Sequence, residues 1–324
     1  MNAARSLIPV IVGPTASGKT RLAVALASLL NERAGRSAEI VTMDSMQVYR
    51  GMDIGTAKPT ADERRRVPHH LIDLVEPSET FTVDAWLDHA ERAIDDIRGR
   101  GAAPIVVGGT HLYANAFLRG LFQGPPADET LRAELASLPP DELRAELDRI
   151  DPQAAQRIHP NDRRRTIRAV EVHRLTGTPI SEHQRQWNDA AGVRSDARLF
   201  VLAWPTEALN RRINQRVRDM IAAGLVEEAR GLHERGALGE TASQALGYKQ
   251  LIAHFEQRCS LDDAIERIKI ETRRFAKNQR TWLRRLAAIP SAVVLDATRS
   301  EPGDWPAAVA ETAFYAATPD RADD

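Results

Sequence analysis

At 324 residues the chain is about twice the ~150-residue norm for one domain, so two structural units and a large hydrophobic core are expected. Its 43% hydrophobic and 27% charged residues are those of a folded globular protein, and no apolar run approaches the ~18 residues of a membrane span. A disordered tail protein and a membrane-crossing chain are thereby excluded. Net charge is only −1, but arginines cluster at 163–168, 211–218 and 273–285 while acids collect elsewhere, and local charge sets the field that a polyanion meets.

The single cysteine, Cys259, excludes a disulfide framework and a cysteine-based zinc site. No two of the nine histidines lie three or four residues apart, so a structural metal is not expected. Residues 7–12 have the apolarity of a signal-peptide core, but they contain Pro9 and run directly into a glycine-rich turn. That context fits a buried strand and a cytoplasmic protein.

Short β-branched runs at 7–12, 39–43, 71–75 and 104–108 read as strands. Between them, 19–33 carries Leu22, Leu26, Leu29 and Leu30 at helical spacing, and 82–98 does the same with Trp86, Ala90, Ala93 and Ile97. Alternation of this kind indicates a parallel α/β sheet with crossover helices. From 124 to 198 the strand signals stop, Pro125-Pro126 and Pro139-Pro140 punctuate the chain, and charged helical segments dominate, which marks a helical insertion. A strand at 199–203, helices at 207–223, 243–257 and 261–286, and a strand at 292–295 return the chain to the sheet. The expected organisation is a core of 1–123 with 199–318, an insertion of 124–198, and a tail at 319–324.

Gly13-Pro14-Thr15-Ala16-Ser17-Gly18-Lys19-Thr20 fits the phosphate loop G-x-x-x-x-G-K-[ST], with a strand before it and a helix after. Such a loop turns backbone N–H groups around an anion at a helix N-terminus, sets its lysine on terminal phosphates, and offers its threonine hydroxyl to Mg²⁺. A glycine-rich turn with a surface lysine is the weaker reading. The ligand is therefore expected to carry a diphosphate or triphosphate.

Asp44 ends the second strand and should open onto the same crevice, where it either acts as a base or caps a following helix. Gly108-Gly109-Thr110 repeats the pattern at a third strand end, adding a hydroxyl at Thr110. His69-His70 reads as a hydrogen-bonded structural pair. On the last long helix Arg273, Lys277, Arg280 and Arg284 share one face, with Phe275, Trp282 and Leu286 on the packing side. A segment of 13 residues, 273–285, without an acid suits phosphate-backbone binding better than a mixed solvated face. Arg212 and Arg216, four apart, are placed to reach the crevice and neutralise a pyrophosphate.

Together the phosphate loop, Asp44-Ser45-Met46-Gln47-Val48-Tyr49-Arg50-Gly51-Met52-Asp53-Ile54-Gly55-Thr56-Ala57-Lys58-Pro59, Gly108-Gly109-Thr110, His159-Pro160-Asn161-Asp162, Gly247-Tyr248-Lys249 and the 272–284 segment closely resemble the tRNA isopentenyltransferase family of bacterial type. The resemblance runs in order from residue 8 to about 285. It implies a phosphate-loop NTPase-like α/β fold that transfers a dimethylallyl group from dimethylallyl diphosphate to the exocyclic amine of the adenosine 3′-adjacent to the tRNA anticodon. The loop at 13–20 would then hold prenyl diphosphate rather than ATP. Asp44 would take the amine proton, and Lys19, Thr20-bound Mg²⁺, Thr110 and an arginine, assigned to Arg216, would serve the reacting groups.

By the same resemblance Asp44, Ser45, Met46, Gln47 and Thr110 would touch the target nucleotide. Further tRNA contacts would come from Arg132, from Arg164, Arg165, Thr166, Ile167 and Arg168, and from Gln244, Ala245, Leu246, Gly247, Tyr248 and Lys249. Lys277, Asn278, Gln279, Arg280, Thr281, Trp282, Leu283 and Arg284 complete the set. The anticodon stem-loop and dimethylallyl diphosphate are the expected partners of a monomer, with no membrane. From the residues alone, an ATP-binding phosphate-loop kinase of a small acceptor and a nucleotide-switched RNA-binding module stay open.

Overall fold

The computed structural model describes residues 7–121, 124–184 and 193–315. The expected tail at 319–324 lies outside them. The chain forms two compact units, Met1–Phe117 with Ser195–Asp324, and Leu118–Arg194.

The first unit is built on β1 (Ile8–Val12), whose five residues are all buried, followed by α1 (Lys19–Ala34) and β2 (Ala38–Met43). After α2 (Ala61–Arg66), a two-residue strand β3 (His69–His70) joins the edge, and α3 (Val83–Gly99) leads to β4 (Ala103–Gly108) and α4 (His111–Arg119). The second unit is all-helical in its described residues: α5 (Glu129–Ser137), α6 (Pro140–Ile150), α7 (Pro152–Arg157), α8 (Arg163–Thr176) and α9 (Ile180–His183). The first unit resumes with β5 (Ala197–Ala203), α10 (Thr206–Ala222), α11 (Leu225–Glu234), α12 (Tyr248–Phe255), α13 (Leu261–Ala287), β6 (Val293–Asp296) and α14 (Trp305–Ala310).

The six strands run parallel in the order β3-β2-β4-β1-β5-β6. With β1 between β4 and β5, the carboxyl ends of β1, β2 and β4 lie side by side, which is where a parallel sheet places its ligand. Leu22, Leu26 and Leu30 of α1 pack with Trp305 and Val309 of α14 against Ile11, Ile40, Ile105 and Phe200 of the sheet. Each buried leucine contributes about 1.5–3 kcal/mol, so this seam holds the helix behind the phosphate loop in place. On α3 the buried residues are Trp86, Ala90, Ile94 and Ile97, Ile94 replacing the expected Ala93. Trp86 stacks on Tyr113 and donates its indole N–H to Thr42 O at 3.0 Å, bracing the end of β2.

Two expectations are corrected. Residues 71–75 are not a strand: Leu71 and Asp73 adopt φ of 63° and 57°, incompatible with an extended ladder, because Asp73 turns toward Lys58 and Arg64. The expected helix at 243–257 is broken into a 3₁₀ turn, Ala242–Gln244, and α12, with Gly247 at φ 96° between them. Helices α11 and α14 carry no counterpart in the sequence reading.

Candidate functional site

The phosphate loop leaves β1 and returns into α1 through two left-handed residues, Ala16 at φ 61° and Gly18 at φ 93°. Its carbonyls are held from outside. Arg212 Nε donates to Ala16 O at 2.7 Å while its guanidinium lies 4.3 Å over the Trp204 ring, and Trp204 Nε1 donates to Ser17 O at 3.1 Å. Gln279 of α13, only 4% exposed, accepts from Thr15 N at 2.8 Å and donates to Gly109 O at 2.8 Å, tying the first strand-end loop to the third. Gly108 is required by close approach, since a Cβ there would lie 1.9 Å from Met43 O.

Inside this frame is a cavity of about 380 Å³, the size of a small-ligand site. Thr15, Lys19, Thr20, Asp44, Thr110 and Arg216 line its polar end; Ile213, Val217, Met220, Leu225, Ile268 and Phe275 line an apolar wall. The Lys19 amine is pushed down to about 8 by burial and by the Arg216 guanidinium, against the pull of Asp44. It donates to Pro14 O at 2.9 Å. Burial likewise lowers the Arg216 guanidinium, opposed by Asp44. Two half-buried cations therefore share the cavity with one carboxylate, an arrangement short of negative charge.

Asp44 closes a turn rather than capping a helix. Its Oδ1 accepts from Met46 N at 2.8 Å and from Gln47 N at 3.4 Å, closing the turn, while Oδ2 makes no hydrogen bond among the described residues. Thr110 Oγ1 accepts from Ser45 N at 3.3 Å, so the ends of β2 and β4 are joined beside the carboxylate. The Thr20 hydroxyl has no hydrogen-bond partner among the described residues although it lines the cavity.

A family model described as IPP transferase matches residues 47–286, and a second, isopentenyl transferase, matches 7–73. The chain belongs to the IPP transferase family. It is 44% identical over 315 residues to a tRNA dimethylallyltransferase of Geobacillus kaustophilus, covering 96% of each chain. Among solved structures, a tRNA isopentenylpyrophosphate transferase of Bacillus halodurans matches with TM-score 0.66 at 39% identity, covering 94% of each chain. A eukaryotic dimethylallyltransferase acting on tRNA matches with TM-score 0.77 at 31% identity, over 93% of this chain and 76% of that one.

Within this family member the cavity gathers Asp44, Ser45, Met46, Gln47, Thr110, Gln244, Ala245, Leu246, Gly247 and Gln279 from four separated segments. Other expected contact residues are spent on the fold: Tyr248 is fully buried, Leu283 is 4% exposed, and Thr166 is 3% exposed with its hydroxyl on Asp162 O. Lys249, Asn278 and Arg284 are exposed. Lys277, Arg280, Thr281 and Arg284 border a separate groove of about 430 Å³ with Pro14 and Trp204. Phe275 is 43% exposed and lines the cavity rather than packing, because the buried seam of α13 runs through Ala276, Gln279, Leu283 and Leu286, one residue out of phase. Trp282 lies against His111, ring centroids 5.0 Å apart.

In the second unit only Arg164 and Arg165 of the 163–168 run are exposed. Arg163 donates to Ala136 O and Leu138 O, and Ile167 packs on the unit's core. Arg132 and Arg168 both donate to Glu171, whose carboxylate is 0% exposed and also accepts from Asp128 N at 2.8 Å. Burial would raise the Glu171 carboxyl, but Arg168, the Asp128 amide and Arg132 hold it below its ordinary value. The histidine pair is hydrogen-bonded: His70 to Glu39 at 2.6 Å and His69 to Val67 O at 2.8 Å.

Sequence reading missed Gln279 as a loop clasp, Trp204 as a brace and Glu228 as a loop anchor. Gln279 left a signal: it is a lone polar side chain on the apolar seam of α13, three residues from Ala276 and four from Leu283.

Proposed function

We propose that this chain transfers the dimethylallyl group of dimethylallyl diphosphate to the exocyclic amine of the adenosine 3′-adjacent to the anticodon of tRNA, and that it does so in the cytoplasm. The observation that carries this reading is the half-buried pair of cations, Lys19 and Arg216, sharing one cavity with Asp44 and a set of apolar side chains. A diphosphate satisfies the cations, and a five-carbon group and a purine suit the apolar wall.

In the reaction the allylic C1–O bond breaks, and the diphosphate leaves with the bonding electrons onto Lys19, Arg216 and the loop amides. The adenine nitrogen forms the new bond to C1. As that nitrogen becomes cationic its proton passes to Asp44 Oδ2. Oδ1, fixed by Met46 N, keeps the carboxylate aimed. The residues fit Mg²⁺, because the Thr20 hydroxyl faces the cavity without a partner; bound there with diphosphate oxygens, the ion would offset the leaving group's charge. Arg212 braces the loop through its Nε on Ala16 O, and it is Arg216 rather than Arg212 that lines the cavity.

The deciding assay incubates the purified chain with tRNA and labelled dimethylallyl diphosphate, without ATP, and analyses nucleosides by mass. Label in a prenylated adenosine is expected. Label transfer from ATP, or tRNA affinity switched by nucleotide with no mass change, contradicts the reading.

A further inference from the structure

Glu228, in the first turn of α11, gathers four donors on one carboxylate. Oε2 accepts from Asp53 N at 2.9 Å and Ile54 N at 2.8 Å; Oε1 accepts from Gly55 N at 3.1 Å and from the Tyr248 hydroxyl at 2.5 Å. The loop so held lies flat on Tyr248: a Cβ on Gly55 would come within 2.4 Å of its ring. From the other side Lys58, its side chain 1% exposed, binds Asp53, Asp73 and Tyr49 O. This grip exceeds what a surface loop requires, and its effect reaches the cavity.

The next two carbonyls of the loop, Thr56 O and Ala57 O, each accept from Gln47 Nε2 at 3.1 Å. An amide nitrogen has two hydrogens, and both are used. The Gln47 oxygen therefore has no internal donor among the described residues, and the side chain lines the cavity beside Asp44. It presents an acceptor with no freedom to flip into a donor. A purine bearing an amine can donate to that oxygen, whereas one bearing a carbonyl at the same position sets two acceptors against each other.

We infer that Glu228 is a positioning residue for base selection: through the amides of Asp53, Ile54 and Gly55 it fixes the carbonyls that lock the Gln47 amide, so that the cavity accepts an amine-bearing purine and rejects a carbonyl-bearing one. This rests on the tRNA prenylation reading. Glu228→Gln turns an amide donor toward backbone N–H groups and releases the loop; Glu228→Asp keeps the charge but falls one methylene short.

The test compares binding of anticodon stem-loops carrying adenosine or inosine at the target position, for the wild type, Glu228→Gln, Glu228→Asp, Gln47→Ala and the double variants. The adenosine-to-inosine affinity ratio should fall about tenfold in Glu228→Gln, the size of one well-made hydrogen bond in a dry site, and less in Glu228→Asp. In the Gln47→Ala background neither Glu228 change should lower the ratio further. An unchanged ratio in Glu228→Asp, or an equal drop with and without Gln47, overturns the inference and leaves Glu228 a fold residue. Failure of the wild type to prenylate tRNA sinks the underlying reading instead; prenylation with an unaltered ratio in both variants sinks only the role of Glu228.

Discussion

Two groups of arginine and lysine in this chain meet opposite fates. Around the phosphate loop, Lys19 and Arg216 are half-buried beside one carboxylate, Asp44, and desolvation drives both toward the neutral state. In the helical unit, Arg132 and Arg168 share the fully buried Glu171 and Arg132 also pairs with Glu129, so two carboxylates answer two guanidiniums. An under-compensated cluster of partly desolvated cations is costly unless an anion arrives, and so marks a ligand site; a matched cluster marks a structural joint. Charge density in the sequence does not distinguish the two. The hidden partner does.

The largest effect should come from Asp44→Asn, which keeps the Oδ1 acceptor for Met46 N but removes the proton acceptor. Single-turnover prenyl transfer should slow by about 10²–10⁴ with tRNA affinity unchanged. A rate within a few-fold of wild type removes Asp44 from the chemistry.

Next comes Glu171→Ala. It strands two guanidiniums that are 36% and 29% exposed, so the loss of stability should be about 1–3 kcal/mol, below that of a fully buried pair. Thermal unfolding measures it, and the chemical rate of the folded fraction should be unaltered. A lower rate without a lower melting temperature would move Glu171 from joint to site.

The third contrast concerns pH. The folded Lys19 amine, at about 8 against an ordinary 10.5, binds its proton less tightly than in the unfolded chain. Its effect on folding is therefore an increase in stability as pH rises from about 8 toward 10.5, with no pH dependence from this group below that window. A bound anion has the reverse preference, since it favours the charged amine. Affinity for inorganic pyrophosphate should hold steady up to about pH 8 and then decline, by at most about tenfold per unit, when followed by calorimetry. A flat profile between pH 7 and 9.5 would show that Lys19 does not touch the anion.

The smallest effect belongs to the exposed cations. Arg164→Ala should reduce the slope of log affinity for tRNA against log salt by about 0.7–0.9, one phosphate contact, and Arg168→Ala should instead lower the melting temperature. An unaltered slope for Arg164→Ala makes that residue a solvated one.

How much of this was legible depended on how local the information was. The phosphate loop and five of the six strands could be read because eight contiguous residues fix the loop and runs of buried β-branched residues fix the strands. The strand expected at 71–75 failed because the geometry there is set by Lys58 and Arg64 drawing Asp73 out of an extended path. Gln279 and Glu228 were invisible for a different reason: their partners Thr15 and Asp53 lie 264 and 175 residues away, and only the folded chain brings them together. For the same reason the arginine run at 163–168 showed its charge but not that Glu171 absorbs Arg168.

One structure determination tests the roles of Lys19, Arg216 and Asp44 most directly: the chain with an unreactive dimethylallyl diphosphate analogue and an anticodon stem-loop. The diphosphate should contact Lys19 and Arg216, and the amine nitrogen of the extruded adenine should sit within hydrogen-bond reach of Asp44 Oδ2. A nucleoside triphosphate preferred in the loop, or an adenine amine held away from Asp44, would contradict these roles.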